Sequence, residues 1–218
     1  MKIPMWLVHW FPFFFPKRAE AIRLELKNVF QKRWIEVLNK LCLEELPPPQ
    51  LKVVPQLETS HQKGVITISL SSICKRNVQL CRTIDHEMAH YIQYVRNSTL
   101  KEVKLPLIPI PSGLYWIVKR KMNKALAEKA FREGFATYVA SITSGALNPK
   151  VEKAIKTIQS GKKWKILLQT ESISYALGYL TYCAIAKIQS EKQAIHLGLS
   201  EDSSKWVSEG RAASVNFI

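Results

Sequence analysis

Residues 77–96 read NVQLCRTIDHEMAHYIQYVR, and this stretch decides how the rest of the chain is read. Ile84, Met88, Ile92 and Val95 recur at three- and four-residue spacing, the period of one helical face. His86, His90 and Gln93 fall on a different face of the same helix. His86-Glu87-Met88-Ala89-His90 is an HExxH sequence, in which two imidazoles one turn apart can chelate a single ion. Glu87 has Tyr91 four residues on, which offers no opposite charge, so a general base is the better reading of Glu87 than a helix ion pair.

Two imidazoles do not complete a catalytic site, which takes three protein ligands and leaves one position open for water. Glu133, 43 residues after His90, is the candidate third ligand. It sits in Ala130-Phe131-Arg132-Glu133-Gly134-Phe135-Ala136-Thr137-Tyr138, where Ala130, Gly134, Ala136 and Thr137 would let this helix approach the first closely. A solvated helix carboxylate is the plain alternative. Against it, Lys119–Lys165 holds twelve Lys and Arg but only Glu128, Glu133 and Glu152 as acids, so a carboxylate among small and apolar neighbours stands out.

Outward from this pair of helices, residues 18–45 place Ile22, Leu26, Val29, Phe30, Val37, Leu38 and Leu41 at helical spacing, ahead of Pro47-Pro48-Pro49, which cannot continue a helix. Leu51–Leu57 and Val65–Ser71 are expected to be neighbouring strands with a turn at residues 60–64 between them. In the second, Ile66, Ile68 and Leu70 alternate with Val65, Thr67, Ser69 and Ser71, one face buried and one polar. Further helices are expected near 115–144, 149–160 and 172–190, and the last stretch of about 25 residues is polar, weakly patterned and expected to be mobile. The fold class is therefore α+β: mainly helical, with a small sheet packed on the HExxH helix and a second helix carrying Glu133.

HExxH followed by an E-G-x-A-x-Y segment resembles the gluzincin metallopeptidases, the thermolysin-like class. The order of helix, short sheet, HExxH helix and Glu helix is similar to the minigluzincins, over about residues 20–145. The resemblance implies one zinc ion per chain on His86, His90 and Glu133, and peptide-bond hydrolysis in which Glu87 activates a zinc-bound water and returns the proton to the leaving amine. It also implies a transition-state donor: Ser174-Tyr175-Ala176-Leu177-Gly178-Tyr179 is similar to the Tyr-x-x-Gly segment of related metallopeptidases, pointing to Tyr175, with Tyr179 second. Both tyrosines read equally well as helix-packing aromatics. Strand 65–71 would, on the same resemblance, border the cleft and bind an extended peptide by strand addition, with an ordinary edge strand as the alternative. The implied organisation is an aromatic strap over 1–17, a metallopeptidase-like core over 18–145, helices over 146–195 completing the cleft and a polar tail over 196–218.

With 218 residues and 47% apolar content, the chain can bury a real core, which argues against disorder. Its net charge of +15 favours anionic partners. The basic region from residue 119 to 165 is thus either a solvated surface or a contact for nucleic acid or an anionic membrane; no nucleic-acid motif accompanies it. Ile3–Phe15 is apolar and aromatic, yet Pro4 and Pro12 interrupt it, Pro16 follows, and it falls short of the roughly 18 residues of a spanning helix. It reads as a strap packed on the domain, or as an interfacial contact through Trp6, Trp10 and Lys17. Cys42, Cys74, Cys81 and Cys183 form no CxxC pair, which suits buried or free thiols and a cytoplasmic setting, with peripheral membrane association as the variant. The competing functions are an active peptidase, a zinc protein kept latent by the strap around His9 or the tail around His196, and a basic membrane- or nucleic-acid-associated protein.

Overall fold

The computed structural model describes residues 14–44, 46–54, 60–62, 64–69, 77–96, 115–159 and 171–200. The side chains of residues 115–126 are outside the description, as are most of the N-terminal strap with His9, the stretch 97–114, Lys162, Lys163 and Lys165, Cys74 and the chain beyond residue 200. The architecture is α+β and mainly helical, with one small sheet. The elements are α1 (Pro16–Lys40), β1 (Gln50–Val54), β2 (Ser60–Gln62), β3 (Val65–Ser69), α2 (Asn77–Arg96), α3 (Tyr115–Ser144), α4 (Pro149–Gln159), α5 (Glu171–Ile188) and α6 (Glu191–Gly198). They form two compact units. The first holds α1, the sheet, α2 as far as Val95 and the end of α3 from Val139; the second holds α3 as far as Tyr138 together with α4, α5 and α6.

In the first unit, α1 opens with Pro16 at its first turn, where a missing N–H costs nothing. It buries Ile22, Leu26, Phe30, Trp34, Val37 and Leu38 along one stripe. The helix stops at Lys40, short of the expected 45, because Cys42 turns into the left-handed region at φ 52° and the Leu43 N–H reaches back to the Leu38 carbonyl at 3.1 Å. This closure caps the last carbonyls before the prolines are reached.

The sheet has three strands in the order β1-β3-β2, β1 running parallel to β3 and β2 antiparallel to it. Ser60–Gln62, expected within the turn, is instead a short strand, and Gly64, in a turn just before β3, takes φ 86°. Ile66 and Ile68 are fully buried and Val65 and Thr67 half-exposed, as the alternation predicts. Because β3 lies between β1 and β2, its backbone is already paired on both sides along Val65–Thr67. Strand addition to β3 there is ruled out, and the outer edges belong to its neighbours.

Helix α2 buries Leu80, Ile84, Met88 and Ile92, whereas Val95, expected in the same stripe, is 39% exposed near the helix end. Tyr91 ties α2 to its surroundings: its hydroxyl donates to the Pro47 carbonyl at 2.9 Å and its ring meets Trp34 edge-on at 5.6 Å.

The second unit is organised by a close crossing of α3 and α5. A Cβ on Gly178 would fall 2.0 Å from the Ala130 carbonyl oxygen and 2.6 Å from the Gly134 Cα, so the two backbones touch there. The bare Gly134 backbone thus meets α5, a partner not foreseen when its small size was read as room for the HExxH helix. Around the crossing, Tyr182 is fully buried against Phe131, Phe135 and Tyr138, and its hydroxyl donates to the Phe131 carbonyl at 3.2 Å. Helix α6 starts at Ser190, whose hydroxyl accepts the Gln193 N–H at 3.1 Å, and buries Ala194, Ile195 and Leu197. Helical structure therefore runs to Gly198, into the region expected to be a polar tail.

Candidate metal centre

His86 and His90 stand one turn apart on α2, both half-buried, with their Nε2 atoms 3.2 Å apart and their rings perpendicular. Two nitrogens each about 2.1 Å from one tetrahedral ion lie about 3.4 Å apart, so the imidazoles already hold the spacing of a shared chelate. Glu133 on α3 could supply a third donor: ligand atoms of His86, His90 and Glu133 all lie within 4.8 Å of one another. The donor set, two neutral imidazoles and one carboxylate, fits zinc; it also fits cobalt or nickel.

Glu87 is buried between the two histidines in sequence, at 9% exposure. Thr137, one turn after Glu133 on α3, has a buried hydroxyl with no hydrogen-bond partner among the described residues.

Immediately before His86, the fully buried Asp85 is held by charges that sequence reading missed. Arg33 of α1 donates Nε to Asp85 Oδ1 at 2.8 Å and Nη2 to Oδ2, and Thr143 near the end of α3 donates to Oδ2 at 2.7 Å. Glu36 accepts from the remaining Arg33 nitrogen. Burial pushes the Asp85 carboxyl above its usual range, against the pull of the Arg33 and Thr143 hydrogen bonds. The network fixes the turn of α2 that presents His86, and the signal for it in sequence was a lone Asp beside the motif.

Tyr175 and Tyr179 are half-buried side chains of α5, three residues before and one residue after Gly178. The Tyr179 side chain hydrogen-bonds the Cys183 thiol, which burial raises above its usual range. His196, a candidate for covering the site, is exposed on α6. Cys42, Cys81 and Cys183 are free thiols. Lys150, Lys153 and Lys156 are exposed on α4, and Lys156 pairs with Glu152 at 3.2 Å. Among the described residues, no helix is long and apolar enough to cross a membrane. Comparison with protein-family models, with curated proteins and with solved structures finds no match to the chain.

Proposed function

We propose that this chain is a zinc-dependent peptidase of the gluzincin kind, with His86, His90 and Glu133 holding the metal and Glu87 as general base. The observation that supports the reading is the grouping of three side chains that could hold a metal ion, two of which flank Glu87 in the HExxH sequence. A zinc ion bound there supplies an acidified water near neutral pH and polarises a carbonyl oxygen. Glu87 then takes the proton of the attacking water and delivers it to the departing amine. Tyr175, with Tyr179 second, is the proposed donor to the oxyanion, a role that family resemblance supports.

Association with an anionic membrane or nucleic acid stays behind this reading, since it rests on net charge alone. The test is Glu87→Ala in zinc-loaded protein. Peptide cleavage should fall by a factor of about a hundred or more while zinc content is unchanged. A variant as active as the parent would remove Glu87 from the chemistry. In parallel, Glu133→Ala should lower bound zinc; unchanged zinc content would remove the third ligand.

A further inference from the structure

Arg82 lies on α2 one turn before His86, so Arg82, His86 and His90 follow one another along the same face of the helix. One terminal nitrogen of its guanidinium, Nη1, is buried and has no hydrogen-bond partner among the described residues. Arg33 in the same unit is the opposite case: buried, it is met by both Asp85 and Glu36. A guanidinium does not shed its proton, so partial burial of Arg82 without a carboxylate leaves a partly desolvated charge uncompensated. Burial, the sole cause acting on Arg82, lowers its pKa, with no acidic neighbour pulling the other way. The first turn of α2 also carries no acidic residue, which leaves the positive end of the helix dipole unopposed.

We propose that Arg82 is the anchor for a carboxylate of the peptide ligand, making short peptides with a carboxylate near the cleaved bond the preferred class. The inference rests on the zinc-peptidase reading of the same helix face and adds the ligand's charge to it. The planar fork of arginine matches a carboxylate with two parallel hydrogen bonds, which a backbone carbonyl cannot supply. Helical side chains lean toward the N-terminus, so the guanidinium falls about 10 Å from the histidine pair. An extended peptide covers that distance in about three residues. The carboxylate is therefore either the C-terminus of a short peptide or an Asp or Glu side chain two to three residues beyond the scissile bond.

The test uses the full chain, with and without zinc, and three probes: a hydroxamate-capped alanine tripeptide with a free C-terminus, its C-terminal amide, and that amide with Glu as its last residue. Affinities are measured by calorimetry. The free acid should bind about tenfold or more tighter than the plain amide, the strength of a charge-assisted pair. A gain carried instead by the Glu-containing amide identifies a side-chain carboxylate as the source and supports the anchor equally. In Arg82→Gln the preference should collapse to about one, and Arg82→Lys should keep part of it, because the charge remains but the fork is lost. Thermal stability without ligand should be unchanged or higher in Arg82→Gln, since a partly desolvated, uncompensated charge has gone. Equal binding of acids and amide by the parent, or a preference that survives Arg82→Gln, overturns the proposal. Zinc dependence of hydroxamate binding is read separately: if zinc strengthens all three probes alike and the acids gain nothing, the anchor fails while the metal site stands.

Discussion

Gly178→Ala sets two effects of opposite sign against each other, and the structure decides between them. Alanine is the better helix former by about 1 kcal/mol in a helix interior, so propensity alone makes the variant more stable. The new methyl, however, would stand 2.0 Å from the Ala130 carbonyl oxygen and 2.6 Å from the Gly134 Cα. Ordinary carbon–oxygen contacts are about 3.3 Å, so α5 has to withdraw from α3 by more than about 1 Å. The obstructing atoms are backbone, and no rotamer change relieves them. Overpacking of this kind costs about 1–3 kcal/mol and more when a helix must shift, and the withdrawal also loosens the aromatic packing of Tyr182 on Phe131 and Phe135. The net expectation is a loss of about 1–3 kcal/mol, read as a lower urea midpoint followed by far-ultraviolet circular dichroism. Gly134→Ala meets the same crossing at 2.3 Å from the Gly178 Cα, so the double variant should cost less than the sum of the two. Zinc affinity should weaken alongside, because Glu133 adjoins Gly134 on α3. A Gly178→Ala protein more stable than the parent would show that the helices are not in backbone contact, and would refute the reasoning.

Asp85→Ala leaves the buried Arg33 guanidinium with Glu36 but without its buried partner, and should cost about 3 kcal/mol of unfolding free energy. Arg33→Met combined with Asp85→Leu should recover most of that loss, and a double variant as unstable as the single would contradict the ion-pair account. At high pH, the raised pKa values of Tyr182 and Tyr138, set in both cases first by burial, mean that the unfolded chain releases their protons first. The stability they contribute is present below the unfolded pKa of about 10 and falls above it, by up to about 2.7 kcal/mol per pH unit for the two together. Urea midpoints that stay level from pH 9 to 11 would count against their burial.

What could be read in the sequence was what repeats or reacts locally. The HExxH helix shows itself twice, by its apolar period and by its chemistry, and the helices expected near 115–144 and 149–160 correspond to α3 and α4, between which lie Gly145 at φ 68° and Asn148, whose side chain accepts the Lys150 N–H at 2.9 Å. Features that depend on meeting a distant residue left no such trace. Arg33 and Asp85 are 52 positions apart, and each alone looks like a surface charge on an amphipathic helix. Gly178 was visible as part of Tyr-x-x-Gly, but its partner Gly134 was read as facing another helix. β2 has no apolar alternation in Ser60-His61-Gln62, and Cys42 closes α1 where glycine would have been the signal. The same division runs through the candidate site. Its donors are a local pattern plus one carboxylate, whereas the placement of the HExxH turn depends on Arg33 and Thr143 gripping Asp85 from two other helices. An isolated α2 peptide would therefore keep the His86–His90 spacing whenever it is helical and still lack the buried carboxylate clamp and Glu133, so its metal affinity should measure what the two histidines provide without the fold.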